Sequence, residues 1–388
     1  MGELNRNQDD LKTMSVRIAY LIDTISTDKA GTEKQLLEII RRLDKARYDP
    51  CLIFLSTSQW IQQNTLPCRH FTLGYKGFFK PEILCSIGKL AAFIRKHDIH
   101  IVQTFFEDSI ILGLLGCIFS NKNPILISSR RDMGLGIDDL WYHGYYRQAL
   151  RFVNCLFNGI VTNNAMLREY VSRRERTALA KICVIPNGIS LPDKCMETPA
   201  IFHEHEADLW VGIVANLKPV KRVDLFLRSL AFVKEHTFAK VHAIVLGDGR
   251  QREELETLAN DLGISPIIHF MGSKQNVYEY LVHIDIGVLC SDSEGLSNAI
   301  LEYMACGLPV VATGVGGSTE LVDSLNGIIV PPGDPDALGT ALVTIINHPS
   351  LRKDMGNVSY QRVLERYNWD LVMRQWESYY HDMLKGRV

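Results

Sequence analysis

The chain has 388 residues, more than one hydrophobic core usually supports, so we expect two domains. Hydrophobic residues make up 46% of the chain and charged residues 22%, a composition that excludes a largely disordered protein. The net charge of -2 conceals a difference between the halves, since residues 1–195 are net basic and residues 196–388 are net acidic. A basic half suits an anionic membrane or a phosphorylated substrate, and it equally suits scattered solvated charges.

Short apolar runs alternate with longer helical patterns, which predicts parallel sheets connected by crossover helices. In the first half, strands are predicted at Val16–Ile22, Cys51–Leu55, His100–Thr104, Ile125–Ser129, Gly159–Thr162 and Ile182–Ile185, with helices at Gly31–Arg47, Glu82–His97 and Asp139–Phe157. In the second half, strands are predicted at Trp210–Ala215, Val241–Leu246, Ile267–Phe270, Ile286–Cys290 and Val310–Thr313. Two doubly wound α/β domains would bind ligands in a cleft at the carboxyl ends of their strands.

A polar, proline-containing segment separates the two halves. It follows ProAsnGlyIle at 186–189 and shows neither a helical nor a strand period, so we place the domain boundary at about residue 190. The segment contains His203-Glu204-His205-Glu206, whose side chains are of metal-binding types. Adjacent residues in an irregular segment rarely converge on one ion, which favours a solvated linker over a metal site.

The cysteines and the apolar runs indicate where the protein resides. Nine cysteines without a CxxC pair give neither a disulfide framework nor a zinc-ligand spacing. The first 14 residues lack the apolar core of a signal peptide, and the longest apolar run, Ile110 to Phe119, is shorter than the roughly 20 residues that span a bilayer. We therefore expect a cytoplasmic protein, with peripheral contact at the inner face of the membrane as an open alternative.

The densest signal for chemistry lies between Ser291 and Thr313, where a loop leads into a helix and then a strand. Glu294 in the loop and Glu302 in the helix can contact different hydroxyl groups of one elongated ligand. At the helix N-terminus, free amides and the helix dipole favour a phosphate. The residues that cross this N-terminus are Gly295, Leu296, Ser297 and Asn298. The segment predicts a diphosphate site flanked by two sugar-binding acids, whereas the alternative is an acidic loop with Ser297 as a simple helix cap.

Two further loops follow predicted strands of the second half. After the strand ending at Ala215, Lys221 can neutralise a phosphate, although an exposed lysine at a helix start is the simpler interpretation. After the strand ending at Leu246, Gly247-Asp248-Gly249 leads into a helix. Each signal is weak alone, but all three loops stand at the carboxyl ends of predicted neighbouring strands and can converge on one ligand.

Residues 209–335 resemble the donor domain of family 4 glycosyltransferases, retaining enzymes with the GT-B fold, in which two Rossmann-like domains face each other across a cleft. The resemblance rests on the E-x7-E pair Glu294 and Glu302 and on motifs in the family's order at 187–189, 246–250, 270–272, 313–320 and 330–337. It extends more loosely over the whole chain, including AlaGlyThrGlu at 30–33. It implies an acceptor-binding domain over residues 1–190, a donor-binding domain over 191–368, and a C-terminal helix at about 369–388 that packs back on the first domain.

The resemblance implies a hexosyl-type transferase that moves a sugar from a UDP- or GDP-linked donor to a hydroxyl of a saccharide or lipid-linked acceptor, in cell-surface polysaccharide or glycolipid synthesis. Glu294 and Lys221 would be catalytic, with Glu294 at the donor sugar, Lys221 at the diphosphate and Glu302 at the ribose. The implied donor-binding residues are Asn216, Lys221, Gly247, Asp248, Gly249, Met271, Gly272, Val277, Glu294, Gly295, Leu296, Ser297, Asn298 and Glu302. The acceptor side would include Gly31, Thr32, Glu107, Arg130 and Arg131. Neither a metal nor another cofactor is expected, and no nucleic acid is an expected partner.

The chain departs from the family pattern in two places. It has Ala215-Asn216-Leu217 where relatives often have GlyArgLeu, so that one phosphate cation is missing or replaced by Lys218. It has Gln103 to Asp108 where many relatives carry a histidine, so no general base carries over. A nucleotide-sugar binding protein without turnover and a nucleotide-sugar 2-epimerase therefore stay open as alternatives. An oxidoreductase is disfavoured because the first strand lacks the GxGxxG turn.

The first half offers softer signals for the acceptor. Arg130 and Arg131 follow a predicted strand and can receive an acidic group of the acceptor, or they can pair with Asp132, Asp138 or Asp139. Residues 140–157 mix aromatic side chains with arginines, as interfacial helices do, although a helix packed on a sheet has the same composition. Residues 168–176 add positive charge, which is consistent with a peripheral contact to anionic lipid.

Overall fold

The computed structural model describes residues 15–28, 31–78, 80–131, 143–193, 196–205 and 208–386. The chain forms two compact units. The first comprises Met1–Asn163, Leu167–Ile185 and Met373–Val388, and the second comprises Asn164–Met166 and Pro186–Val372. Apart from the short segment Asn164–Met166, the chain passes from the first unit to the second at Pro186 and returns at Met373.

The first unit is built on a parallel sheet with the strand order β3-β2-β1-β4-β5-β6-β7. Its strands are β1 (Val16–Ile22), β2 (Tyr48–Phe54), β3 (Arg69–Thr72), β4 (Ile101–Phe105), β5 (Ile125–Arg130), β6 (Gly159–Thr162) and β7 (Ile182–Val184). Its helices are α1 (Gly31–Arg42), α2 (Gln59–Gln63), α3 (Glu82–Lys96), α4 (Glu107–Ser120), α5 (His143–Leu156) and α6 (Ala165–Arg174), the last of which begins in the second unit. Strands β4, β5 and β6 are buried along their whole length, as the inner strands of a parallel sheet usually are.

The second unit is built on a parallel sheet with the order β10-β9-β8-β11-β12-β13. Its strands are β8 (Leu209–Val214), β9 (Val241–Leu246), β10 (Ile268–Gly272), β11 (Ile286–Leu289), β12 (Val310–Thr313) and β13 (Gly327–Val330). Its helices are α7 (Ala200–His203), α8 (Val223–His236), α9 (Arg252–Asp261), α10 (Tyr278–Leu281), α11 (Asn298–Ala305), α12 (Ser318–Leu321), α13 (Pro335–Asn347) and α14 (Pro349–Arg362). The predicted pair of doubly wound parallel sheets is therefore confirmed.

A last helix, α15 (Trp369–Lys385), begins in the second unit and continues into the first. Within the first unit, its Tyr380 donates a hydrogen bond of 2.7 Å to Gln103 Oε1 on β4. The Tyr380 hydroxyl also lies 3.0 Å from the hydroxyl of Tyr20 on β1. All three side chains are buried, so these hydrogen bonds satisfy polar groups that have no access to water.

The structure differs from the predicted elements in a few places. Strands β3 and β13 were not predicted; both are short edge strands, and β3 has polar, partly exposed residues. Helix α1 ends at Arg42 and not at Arg47, because the Asp44 carbonyl accepts from the amides of Arg47 and Tyr48 and so forms a turn. The predicted start of the helix at Asp139 lies outside the described residues, and the described helix begins at His143. In the described part of the chain, no helix has the length and apolarity that a membrane crossing requires.

Candidate functional site

Four loops leave the carboxyl edge of the second sheet and carry most of the predicted donor-binding residues. They follow β9, β8, β11 and β12, which are consecutive neighbours in the sheet. Because the strands are parallel, the loops lie side by side along one edge. The predicted adjacency of the strands that precede Lys221, Gly247 and Glu294 is thus confirmed.

Lys221 and Glu294 form an ion pair at this edge. Lys221 Nζ donates to Glu294 Oε1 at 2.6 Å, and Ser291 Oγ donates to the same oxygen at 2.6 Å. The Glu294 side chain is only 10% exposed, so both donors compensate for the water that its carboxylate has lost. Nothing in the linear sequence singles out Ser291, whose part in the site depends on the shape of the loop.

The Glu294 loop is fastened to its neighbours through the backbone. The Asp292 amide donates to the Val220 carbonyl at 2.9 Å, which joins this loop to the Lys221 turn. The Gly317 amide donates to the Gly295 carbonyl at 2.8 Å. Gly316 has φ of +50°, and a Cβ there would overlap the Glu294 carbonyl oxygen. The loop after β12 therefore supports the Glu294 loop by close backbone contact, which only glycine permits at position 316.

The loop after β9 approaches the loop after β8 equally closely. Gly247 has φ of +139°, and a Cβ there would overlap the Ala215 carbonyl oxygen. The Gly247 amide donates to the Gly272 carbonyl at 3.0 Å, and the Leu217 amide donates to the Asp248 carbonyl at 3.0 Å. These contacts bring the predicted residues Gly247, Asp248 and Gly249 beside Asn216 and Gly272. The Asn216 and Lys218 side chains are both exposed.

Helix α11 begins at this edge and is held in place by a residue from outside these four loops. Ser297 Oγ accepts from the Ile300 amide at 3.4 Å, so Ser297 is a helix cap. Asn187 donates from Nδ2 to the Leu296 carbonyl at 3.1 Å and to Asn298 Oδ1 at 2.8 Å. The AsnGlyIle motif therefore positions the start of α11, a role for Asn187 that the linear sequence does not show.

Glu302 lies on the second turn of α11 and is buried. The pKa of the Tyr278 hydroxyl is raised by burial and, to a smaller extent, by the charge of Glu302. Leu296 belongs to the apolar cluster against which Met271, Val277 and Tyr278 pack. The structure thus brings the residues predicted around the base to the same cluster as the start of α11.

The predicted acceptor-side residues belong to the first unit. Gly31 and Thr32 open α1, and Glu107 is the first residue of α4. Arg130 is buried and donates to Glu175 Oε2 at 3.2 Å and to Asn154 Oδ1 at 3.1 Å. Its ion-pair partner is Glu175, whereas Asp132, Asp138 and Asp139 lie outside the described residues. A buried guanidinium requires such a partner, and this pairing favours the salt-bridge interpretation of Arg130.

Arg131 is also buried, in an aromatic environment. Its guanidinium carbon lies 6.0 Å from the ring centre of Phe105 and 5.7 Å from that of Trp376. Burial lowers the pKa of Arg131 to about 10, which leaves it protonated near neutral pH. Stacking on two rings partly replaces the hydration that the cation has lost.

Asp23 follows β1 and is a candidate that the sequence analysis missed. Its Oδ1 accepts from the Ser109 amide at 3.1 Å and from the Ser109 hydroxyl, in the first turn of α4. Burial raises the pKa of Asp23 to about 7, and the charges of Asp108 and Glu107 add to this effect. An acid at the end of a predicted strand, with two more acids directly before the apolar run at Ile110 to Phe119, was the signal that could have identified it.

Comparison with known proteins agrees with this architecture. A sequence-family model described as "Glycosyl transferases group 1" matches residues 208–348, and one described as "Glycosyltransferase Family 4" matches residues 30–192. The chain is 28% identical over 173 residues to N-acetyl-alpha-D-glucosaminyl L-malate synthase of Bacillus anthracis. The aligned region covers 44% of the chain and 45% of that enzyme. The chain is 32% identical over 133 residues to the lipopolysaccharide core biosynthesis glycosyltransferase LpsE of Rhizobium meliloti. This aligned region covers 34% of the chain and 39% of LpsE. The matched region is less than half the length of either relative.

Solved structures show the same fold. Anabaena HepE in complex with UDP superposes with a TM-score of 0.78 at 18% identity, covering 95% of this chain and 100% of HepE. Sucrose-phosphate synthase of Thermosynechococcus elongatus gives a TM-score of 0.78 at 16% identity, covering 96% of this chain and 100% of the synthase. With the two family matches, one in each half, the chain belongs to the family 4 group of glycosyltransferases and has two Rossmann-like domains of the GT-B type.

Proposed function

We propose that the protein transfers a hexosyl group from a UDP- or GDP-linked donor to a hydroxyl of a saccharide or lipid-linked acceptor, with retention of the anomeric configuration. The observation that carries the proposal is the Lys221–Glu294 ion pair of 2.6 Å at the carboxyl edge of the second sheet. The pair lies in the loops that surround the N-terminus of α11. A cation and a helix N-terminus at one edge suit a diphosphate, and a carboxylate beside them suits a sugar hydroxyl.

The donor's diphosphate would bind to Lys221 and to the amides at the start of α11. In this arrangement Lys221 exchanges part of its contact with Glu294 for the diphosphate, and Glu294 turns an oxygen towards the sugar. Glu302 holds the ribose hydroxyls from the second turn of the helix. Met271, Gly272 and Val277 line the position of the base. HepE, which has the same fold, forms a complex with UDP, and this supports a nucleotide ligand for the proposed donor site.

The proposed reaction breaks the bond between the sugar's anomeric carbon and the diphosphate oxygen and forms a bond from that carbon to the acceptor oxygen on the same face. The leaving phosphate oxygen accepts the proton of the acceptor hydroxyl. Lys221 and the helix amides stabilise the negative charge that develops on the diphosphate. The scheme uses neither a metal ion nor another cofactor, and the chain's contribution is positioning and charge stabilisation.

The acceptor would bind to the first unit, near the starts of α1 and α4. Gly31 and Thr32 would contact it through α1, and Glu107 through α4. Asp23, with a pKa raised to about 7, adds a carboxyl group that can accept or donate a hydrogen bond near neutral pH. Arg130 and Arg131 are held by Glu175 and by two aromatic rings, so we assign them to the support of β5.

A peripheral contact with anionic membrane would bring the enzyme to a lipid-linked acceptor. At the ends of two packed helices, α4 exposes Ile118 and Phe119, and α5 exposes Phe152 and Leu156, with Phe152 77% exposed. Arg151 on α5 adjoins this surface and donates to the Arg174 carbonyl at 3.3 Å. Exposed apolar side chains beside basic ones suit the boundary between lipid headgroups and acyl chains.

The function is tested by screening UDP- and GDP-sugars for an increase in Tm, followed by assays of transfer and of donor hydrolysis. The expected result is stabilisation by one nucleotide class and activity that is lost in Glu294→Ala. Stabilisation without transfer or hydrolysis would identify a nucleotide-sugar binding protein. Release of a free 2-epimer without acceptor would identify an epimerase. An unchanged Tm with every donor contradicts the proposed donor site.

A further inference from the structure

The amino edge of the second sheet carries a cluster of histidine side chains apart from the donor loops. Trp210 on β8 is in register with His242 on β9, and their ring centres are 5.0 Å apart. His269, near the start of β10, has its ring centre 5.6 Å from that of His242. His205, from the segment before β8, places its ring centre 3.9 Å from that of His242. The sheet therefore gathers three imidazoles that are distant in the sequence.

Asp208 adds a carboxylate to this cluster. Its Oδ2 lies 3.4 Å from His205 Nδ1 and 3.1 Å from His242 Nε2. One ligand atom from each of His205, Asp208 and His242 lies within 4.8 Å of the others. We propose that these three side chains form a binding site for a divalent transition metal ion such as Zn²⁺.

The spacing of the three side chains fits tetrahedral coordination. Bonds of about 2.0–2.2 Å from zinc to nitrogen and oxygen put neighbouring ligand atoms about 3.3 Å apart. The distances from Asp208 Oδ2 to the two imidazole nitrogens match this value without rearrangement. His205 is the most exposed of the three, with 31% of its side chain accessible, so its ring can rotate to complete the site. Two imidazoles and one carboxylate leave the fourth position for water.

His269 provides the support that metal-bound histidines usually have. Its Nε2 lies 3.4 Å from His242 Nδ1, the ring nitrogen that faces away from Asp208. Metal binding at His242 Nε2 puts the proton on Nδ1, which then donates to His269 Nε2.

The position of the site predicts a structural role. Parallel strands put their amino ends on the edge of the sheet opposite to the Lys221 and Glu294 loops. The metal would join His205, in the segment that follows the passage between the units, to strand β9. Phe202 on α7 packs on Trp210 at a ring distance of 4.7 Å, which already holds this segment near the sheet. The metal would thus stabilise the second unit and take no part in the transfer reaction.

The test uses the full-length chain without a histidine tag, freed of metal with a chelator. Titration with ZnCl₂ is followed by calorimetry, and CoCl₂ is used as a probe because tetrahedral Co²⁺ has strong visible absorption. The expected results are one ion per chain, an increase in Tm and a tetrahedral Co²⁺ spectrum. His205→Ala and Asp208→Asn should each weaken binding at least tenfold and remove the spectrum, whereas His236→Ala, on the exposed end of α8, should leave both unchanged.

His205→Ala alters a partly exposed side chain and should fold, which its unliganded Tm will show. Absence of stoichiometric binding by the parent chain, or binding that survives both ligand substitutions, overturns the proposal and leaves a hydrogen-bonded cluster in which His242 donates to Asp208. The Tm shift caused by nucleotide sugars is measured on the same samples. A positive donor shift with no metal binding rejects only the metal site.

Discussion

Lys221 Nζ lies 2.6 Å from Glu294 Oε1, and this contact joins the turn after β8 to the loop after β11. The two segments also meet through the backbone, because the Asp292 amide donates to the Val220 carbonyl. Within its own loop, Glu294 accepts a further hydrogen bond from Ser291. The pair is therefore a product of the sheet order, which makes β8 and β11 neighbours.

Lys221→Met should lower the rate of transfer by about 100-fold or more, since removal of one group that stabilises developing charge costs about 3–4 kcal/mol. The loss should appear in kcat, measured with saturating donor. Lys240→Met, an exposed lysine at the amino edge of the same sheet, is the matched control and should retain parental activity. Equal losses in both variants would argue against a specific role for Lys221.

Gly316→Ala should destabilise the protein and abolish the donor-induced increase in Tm, because its Cβ would displace the Glu294 carbonyl. Gly333→Ala is the control: its φ of +78° is also left-handed, but no atom lies within 4 Å of the added Cβ. The control carries only the conformational cost of about 1 kcal/mol. Similar melting curves and donor responses in the two variants would show that the Glu294 loop tolerates displacement.

Asp23→Asn should change how stability depends on pH. The folded pKa of Asp23 is raised from 3.8 to about 7, so the native state holds the proton more tightly than the unfolded chain between these values. Stability of the parent chain should therefore fall as pH rises from about 4 to 7, by up to about 1.4 kcal/mol per pH unit from this group. Asn can keep the bonds from Ser109 and does not titrate.

Melting curves from pH 5 to pH 8 check this prediction. The Tm difference in favour of Asp23→Asn should grow with pH, whereas the exposed control Asp261→Asn should show a constant offset. If the Tm of Asp23→Asn and the Tm of the parent chain change in parallel with pH, the raised pKa of Asp23 is contradicted.

Tyr380→Phe should lower the free energy of unfolding by about 1–3 kcal/mol, because it leaves buried polar groups of Gln103 and Tyr20 without this partner. Tyr379→Phe provides a neighbouring comparison, since the buried Tyr379 hydroxyl has no hydrogen-bond partner among the described residues. Tyr379→Phe should therefore change the free energy of unfolding by close to zero. Denaturant unfolding of the two variants measures the difference, and equal free energies would count against the Tyr380 network.

The sequence was sufficient to predict the elements whose residues are buried on both faces. Strands such as β4 and β9 are rich in apolar residues because both faces of a parallel sheet are usually covered by helices. The edge strand β3 was missed because Arg69 and His70 are exposed and interrupt that pattern. Glu294 and Glu302 could be recognised as a pair because they lie in one continuous segment, Glu294 in the loop after β11 and Glu302 in helix α11.

Contacts between distant segments could not be predicted from the sequence. The pairing of Arg130 with Glu175 depends on how α5, β5 and the end of α6 pack. His205 looked like part of a solvated linker together with Asp208, and only the register of β8 with β9 brings His242 to them. A linear motif contains no information about such a register.

The glycine contacts at Gly247 and Gly316 fix the backbone of two donor loops before any ligand arrives. A nucleotide sugar would then meet a preformed surface, and little of its binding energy would be lost to ordering the chain. Calorimetry should accordingly show a small heat-capacity change for donor binding, close to that of the ligand's own buried area. A donor surface fixed in this way would keep its shape when residues on the acceptor side are changed.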